Sequence, residues 1–324
     1  MSIPLNEIKS PLKKELVQFD SFFQLTFKTR VALLDAILNY IIKRKGKQIR
    51  PLLVLLTAAL HGEVTDKAYR GATLIELLHT ATLVHDDVVD DSMERRGFFS
   101  INALWKNKTS VLIGDYLLSR GMLLALNNKD YDFLEITSEA VKLMSEGELM
   151  QMEKARTLDI REEVYFDIIR MKTASLISAS CAIGAASASN KPDQIQNMKE
   201  FGALLGIAFQ IKDDLLDFSL TITGKPKGSD LKEKKLTLPL IYALKQAGSD
   251  AKRKIIHKIA KRGKITDTYH SVRSFIEEHG GFTYASGKMH EFSGQAADIL
   301  TKYPDSAFKD ALLKFIIYNE ERNS

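Results

Sequence analysis

Apolar positions recur at steps of three and four along most of the chain. From Phe133 they run Phe133, Ile136, Ala140, Leu143, Met144 and Gly147, one stripe with Glu135, Glu139 and Lys142 facing away. That is the pattern of an amphipathic helix, and Asp130 stands where its N-cap belongs. Comparable helix starts are predicted near Pro51, Asp66, Thr109, Asp193 after Pro192, Pro239 and Asp305. Segments 52–60, 71–84 and 174–188 are apolar nearly all round, which marks them as central. The last carries Ala179, Ala182, Gly184, Ala185 and Ala186, small residues that let a neighbouring helix approach closely. No stretch alternates as a half-buried strand does. One loop stands out, Ser219–Thr237, with Gly224, Pro226 and Gly228, and with five lysines between Lys225 and Lys235.

Composition agrees with this picture. Gly and Pro together are under a tenth of the 324 residues, and no proline lies between Pro51 and Pro192. A turn-rich β protein is therefore excluded. An apolar fraction of 45% excludes a disordered chain. The single cysteine, Cys181, rules out an intramolecular disulfide and is read as packing, in a reducing compartment. No signal peptide is evident at Met1–Pro4, and no uninterrupted apolar run approaches the roughly 18 residues that span a bilayer. These features predict a soluble, cytoplasmic protein. A net charge of +5 does not by itself indicate nucleic-acid binding, and no reader motif accompanies the scattered lysine runs.

The first chemistry-bearing constellation is His85-Asp86-Asp87-Val88-Val89-Asp90-Asp91, which closes an apolar helix. Asp86 and Asp90 are four apart, as are Asp87 and Asp91, so each pair is expected on one helix face with Cβ atoms about 5–6 Å apart. Such like-charge pairs destabilise a helix by a few tenths of a kcal/mol each, so something cationic should offset them. The pattern returns 127 residues later at Asp213-Asp214-Leu215-Leu216-Asp217, again ending an apolar segment. Facing each other across a helical core, the two clusters form an all-oxygen cage suited to Mg²⁺. That ion usually takes one or two carboxylates and leaves its other positions to water and substrate phosphate. Zinc is disfavoured, since no thiolate or histidine pair has ligand spacing.

Phosphate is therefore the substrate feature to seek. Lys47 and Arg50 lie three apart at a predicted helix start, where the dipole favours an anion. Arg95 and Arg96 follow the first acidic cluster, Lys172-Thr173 precedes a central helix, and Lys225 and Lys235 lie in the lysine-rich loop. Together they suggest a site for two polyphosphates.

The ordered set Gly46–Pro51, Asp86–Asp90, Arg95-Arg96-Gly97, Lys172-Thr173, Phe209-Gln210, Asp213–Asp217 and Gly224–Pro239 resembles the trans-type polyprenyl diphosphate synthases, and most of all their medium- and long-chain members. One departure is Gly97-Phe98-Phe99-Ser100, where that family has a proline near Phe99. The resemblance implies an all-α, single-domain bundle of the isoprenoid synthase type over residues 1–324, with a central cavity and a homodimeric assembly. It implies Asp86, Asp90 and Asp213 as direct ligands of three Mg²⁺ ions, or Mn²⁺ in their place. Asp87, Asp91, Asp214 and Asp217 would be ligands or water-mediated partners. Arg95, Lys172, Lys225 and Lys235 would grip an allylic diphosphate. Lys47, Arg50, His79 and Arg96 would bind isopentenyl diphosphate, and Thr173 and Gln210 would turn oxygen dipoles to the allylic cation. The loop 219–237 would be a lid that excludes water, and membrane contact would be transient, for product release.

Chain length is read upstream of Asp86, where Ala81 and Thr82 lie about one helical turn down the wall. Short-chain members carry a bulky aromatic at this level. Here the side chains are small, so the resemblance predicts about six to ten isoprene units. Leu78, Ile75 and Met122 are candidates for the floor. A terpene cyclase is disfavoured, because Thr221 occupies the place where its second metal motif has a glutamate. A non-catalytic regulatory subunit would have lost ligands that are all present. Glu76-Leu77-Leu78-His79 has di-iron spacing but no second copy. Glu148 and Gln151 receive no role.

Overall fold

Helix-start chemistry is honoured at every marked position except one. The computed structural model describes residues 3–44, 46–95, 98–158, 161–189, 191–219, 228–260 and 265–322. The N-terminal helices are α1 (Leu5–Lys9), α2 (Lys13–Thr26), α3 (Ala32–Lys43), α4 (Ile49–His61) and α5 (Asp66–Val89). After a two-stranded hairpin, β1 (Glu94–Arg95) with β2 (Phe98–Phe99), come α6 (Ile101–Asn127), α7 (Tyr131–Thr157) and α8 (Glu162–Ile169). A π-helical turn, Arg170–Ala174, leads into α9 (Ser175–Ala188) and α10 (Pro192–Asp217). The rest is α11 (Ser229–Lys232), α12 (Leu238–Gln246), α13 (Ser249–Ala260), α14 (Ile265–Glu278), α15 (Gly281–Leu300) and α16 (Ala307–Glu321).

The exception is Thr109. Helix α6 begins at Ile101, where the Ser100 hydroxyl accepts from the Ala103 N–H at 3.0 Å. Lys106 then breaks the helix with φ 69° and ψ 165°, so the expected start marks only the regular part that follows. Asp130 is the N-cap residue of α7 but does not cap with its side chain. Its carboxylate instead takes two hydrogen bonds from Arg70 of α5, at 2.6 and 3.0 Å. The hairpin, two residues per strand, is the departure from an otherwise helical architecture among the described residues.

Two apolar clusters hold the helices together. One gathers α1 to α7, α9, the first half of α10, the end of α15 and α16, with Leu52–Leu56, Ile75, Ile183, Phe201 and Leu312 fully buried. The other gathers α8, the second half of α10 and α12 to α15, including Ile211, Leu240, Val272 and Ile276. Close approach is built from the small residues of α9. A Cβ on Gly184 would lie 1.9 Å from Thr57 Oγ1 and 2.3 Å from the Val54 carbonyl oxygen of α4, so only glycine allows this crossing. Helix α6 packs one face on α5 and turns Val111, Leu112, Met122, Leu123 and Leu126 outward. It is long and apolar enough to cross a membrane by length and composition, at mean hydropathy 1.3 over its best 18 residues. The sequence reading, which looked for an uninterrupted run, did not pick it out.

Candidate active site

A cavity of about 280 Å³ opens at the end of α10, where the second aspartate cluster closes the helix. Asp213, Asp214 and Asp217 of α10 line it, with Lys172 and Thr173 of the π turn, Gln151 and Lys154 of α7, and Asp230, Lys234 and Lys235 from the C-terminal part of the loop 219–237. Asp90 stands at its rim, close enough to Lys235, Lys172, Glu233 and Glu148 to feel their charges. Burial pushes the Asp90 carboxyl up, Glu233 and more weakly Glu148 add to this, and Lys235 and Lys172 oppose it.

The second aspartate of each cluster is buried. Asp87 and Asp214, 127 positions apart, are both 3% exposed. Asp214 accepts from the Tyr165 hydroxyl at 2.7 Å, from Gln210 Nε2 at 3.0 Å and from the Leu238 N–H at 3.2 Å. Burial, and then the neighbouring Asp230 charge, raise its pKa to about 7 against these three donors. A carboxyl so enclosed braces the wall; of the two roles expected of it, ligand or water-mediated partner, its burial favours the second. The expected face shared by Asp87 and Asp91 does not form either. Helix α5 ends at Val89, Asp90 is its C-cap, and Asp91 turns left-handed at φ 47°. Carboxylates at a helix C-terminus meet the negative end of its dipole, so the helix stops before adding another turn of them.

The π turn aims Lys172 and Thr173. An extra residue in a helical turn re-directs side chains, and such bulges recur at functional sites. Gly147 of α7 lies directly against this turn, where a Cβ would meet the Lys172 backbone nitrogen at 2.8 Å. The next residue, Glu148, forms an ion pair with Lys172 Nζ. Lys235 is paired with Glu233 in the same way. Burial pulls the Lys235 ammonium down, but Glu233, Asp230 and Asp90 more than offset it and its pKa rises. Lys235 is thus held charged beside Asp90. From Thr173 a relay runs inward: its hydroxyl donates to Gln210 Oε1 at 2.8 Å, and Gln210 donates on to Asp214. With its proton committed to Gln210, Thr173 has only oxygen lone pairs to offer the cavity.

Arg50 and His79 meet as expected, with Arg50 Nη1 donating to His79 Nε2 at 2.9 Å. Because guanidinium cannot accept, Nε2 is the acceptor and the ring proton lies on Nδ1. Lys47 sits on the same side, its Nζ 5.8 Å from the centre of the Tyr318 ring. Arg96 and Lys225 lie outside the described residues, and Arg95 is described only as backbone in β1.

Helical geometry separates the chain-length candidates. Thr82 shares a face with His79 and Asp86. Ala81 is 2% exposed and falls on the stripe of Leu74, Leu77 and His85, which packs on Gly121 and Gly114 of α6. Leu78 and Ile75 are buried beneath. Met122 points outward and is 48% exposed, which removes it as a floor.

Four residues here escaped the sequence reading. Gln151, left without a role, belongs to the cavity wall with Tyr165, and Glu148, also left without one, pairs with the wall residue Lys172. Arg322, from the chain's end, donates through Nη2 to Asp213 Oδ1 at 2.7 Å. For Glu148 and Gln151 the i, i+3 spacing was a usable signal; for Tyr165 and Arg322 no local pattern exists.

As for composition of the site, its candidate donors are carboxylate oxygens, and among the described residues no three His, Cys, Asp or Glu side chains converge to hold an ion alone. That donor set fits Mg²⁺ completed by water and phosphate, and it does not fit an all-protein cage. Residues 31–277 match the family model described as Polyprenyl synthetase. The chain is 34% identical over 310 residues to an all-trans-nonaprenyl-diphosphate synthase (geranyl-diphosphate specific) of Rhodobacter capsulatus, covering 95% of this chain and 94% of that one. It is 31% identical to an octaprenyl diphosphate synthase of Haemophilus influenzae, over 98% and 97% of the two chains. Its fold superposes with a TM-score of 0.93 on a polyprenyl synthase from Caulobacter crescentus CB15 crystallised with calcium and isoprenyl diphosphate, at 29% identity over 100% and 99% of the chains. With paired aspartates over a lysine-lined cavity, in a fold and sequence shared from end to end, the chain belongs to the polyprenyl synthetase family.

Proposed function

We propose that this enzyme is a Mg²⁺-dependent prenyltransferase. It condenses isopentenyl diphosphate head to tail with an allylic diphosphate to make a medium- or long-chain all-trans polyprenyl diphosphate. The observation that supports it most is the cavity lined by Asp213 and Asp217, with Asp90 within charge range of its Lys172 and Lys235. The relatives named for eight- and nine-unit products support the longer chain.

In this reading Asp86, Asp90, Asp213 and Asp217 hold the ions, while Asp87 and Asp214 brace the helices that carry them. Bound Mg²⁺ would supply charge stabilisation for the departing diphosphate. Lys172 and Lys235 neutralise the allylic diphosphate, exchanging their glutamate partners for phosphate oxygens. Thr173 and Gln210 present oxygen dipoles to the allylic carbon as its C–O bond ionises. Lys47, Arg50 and His79 hold the second diphosphate so that its alkene lies in reach, with Arg95, Arg96 and Lys225 as further contacts. Closure over Lys235 keeps water from quenching the cation. The whole chain acts as one domain, and the outward apolar face of α6 supports a homodimer working in the cytoplasm.

The test is incubation of purified protein with Mg²⁺, labelled isopentenyl diphosphate and farnesyl diphosphate, followed by chain-length analysis. A dominant product beyond C20 is expected. Termination at C20 would retain the chemistry and remove the long chain; no incorporation with any allylic starter would refute the enzyme. Thr82→Phe should shorten the product more than Ala81→Phe, because Thr82 shares the face of Asp86, about one 5.4 Å turn below it.

A further inference from the structure

The C-terminal end of α16 reaches back to the second aspartate cluster through a single residue. Arg322, with 6% of its side chain exposed, lies outside the segment matched by the family model and is not among the residues given a role above. Its guanidinium makes three hydrogen bonds to one wall. Nε donates to Asn319 Oδ1 at 3.1 Å, and Nη2 donates to the Phe209 carbonyl at 3.0 Å and to Asp213 Oδ1 at 2.7 Å. The plane lies over the Phe209 ring, 4.1 Å from its centre. A second tie runs the opposite way: Lys212 of α10 donates to the Glu320 carbonyl at 2.6 Å, a cation at the C-terminus of α16 where the helix dipole favours one.

Two features make this arrangement more than packing. Asp213 lines the cavity and is 37% exposed, and among the described residues Arg322 is the side chain that hydrogen-bonds its carboxylate. Arg322 binds Oδ1 alone, which leaves Oδ2 for the cavity. The guanidinium is itself locked by Asn319, Phe209 and near-complete burial, so it acts as a rigid bracket and not as a mobile counter-ion.

We propose that Arg322 is a positioning residue: it holds the Asp213 carboxylate in the orientation that binds Mg²⁺ with diphosphate, and the end of α16 thereby belongs to the metal site. This rests on Asp213 being a Mg²⁺ ligand. Groups that orient a metal ligand typically contribute about 10- to 100-fold in metal affinity.

The experiment is calorimetric titration of Mg²⁺ into the full-length protein in the presence of inorganic pyrophosphate, for the unmodified chain, Arg322→Gln, Arg322→Lys, Asp213→Asn and the double variant R322Q/D213N. Steady-state constants for both substrates are measured alongside. Arg322→Gln is expected to weaken Mg²⁺ binding about 10- to 100-fold and Arg322→Lys to recover part of it, since a shorter point charge cannot keep both Nη2 contacts. The double variant should bind no worse than Asp213→Asn alone, because the two changes act through one carboxylate. KM for isopentenyl diphosphate should stay within about twofold of the unmodified value while turnover falls. Unchanged Mg²⁺ affinity in Arg322→Gln, additive losses in the double variant, or a rise in KM for isopentenyl diphosphate alone would overturn the proposal. If Arg322→Gln does not fold, the same comparison is made with Arg322→Lys. Unchanged Mg²⁺ affinity in Asp213→Asn would instead overturn the metal-site reading itself, so the two failures are distinguishable.

Discussion

Gly147→Ala adds one methyl group at the point where α7 presses on the π turn. The new Cβ would lie 2.8 Å from the Lys172 backbone nitrogen, 2.9 Å from Met171 Cβ and 3.3 Å from the Ile168 carbonyl oxygen, where ordinary contact begins at 3.4 Å. Two of these obstacles are backbone atoms and cannot swing aside. The turn must therefore retreat by about 0.6 Å, the difference between 2.8 and 3.4 Å. Overpacking of this kind costs about 1–3 kcal/mol, and the better helix propensity of alanine returns about 1 kcal/mol. The net loss is about 0–2 kcal/mol, a fall of at most several degrees in melting temperature for a chain of this size. Catalysis is the more sensitive quantity. Displacing a positioning group by 1 Å can cost about 100-fold, so a shift of roughly half that at Lys172 and Thr173 should lower turnover by about tenfold. Steady-state incorporation of labelled isopentenyl diphosphate and a thermal melt measure the two effects. Gly287→Ala, on α15 with nothing within 4 Å, is the control and should leave activity unchanged. Full turnover in folded Gly147→Ala would refute the claim that this contact sets the Lys172–Thr173 geometry.

Two further predictions concern buried titratable groups. Burial raises the Asp214 pKa to about 7, above its unfolded value near 4, so the folded state holds the proton more tightly. Its contribution to stability is full below about pH 4 and is lost as pH rises through about 7. Asp214→Asn should flatten this part of the profile in denaturant titrations from pH 4 to 8. It should also lower turnover, since an amide at 214 obliges Gln210 to flip and turns Thr173 from donor to acceptor. A steeper loss of stability with pH in the variant would contradict this. Cys181, the one cysteine, is wholly buried, and burial raises its thiol pKa. A thiol reagent should label it at the rate of global unfolding; rapid labelling under native conditions would show that α9 opens locally.

Much of this site can be read from the sequence, because its spacing obeys helix geometry. Asp86 with Asp90, and Asp213 with Asp217, end apolar helices where the periodicity puts them. The same periodicity overreached at Asp91, because helix-terminus electrostatics stopped α5 at Val89, two residues short of it. At Thr109 it read the regular part of α6 correctly and missed the capped segment from Ser100, since the break at Lys106 is a backbone conformation that no side-chain pattern announces. Asp214 looked like its neighbours in sequence. Its enclosure depends on Tyr165 and Leu238, which lie 49 and 24 residues away. Arg322 is more distant still, 109 residues from Asp213, and such long-range pairing has no local signature.

Helices α10 and α15 each contribute to both apolar clusters: Phe201 and Leu205 to one and Ile207 and Ile211 to the other for α10, Ala296 and Leu300 against Ala285 and Met289 for α15. Neither cluster can come apart while these two helices stay whole, because each lends the other half of its own rods. The described helices therefore unfold as one cooperative unit, with no stable half-molecule. The cavity lies at this seam, beside the part of α10 that only complete unfolding exposes, so the aspartates that end α10 rest on the last element to yield.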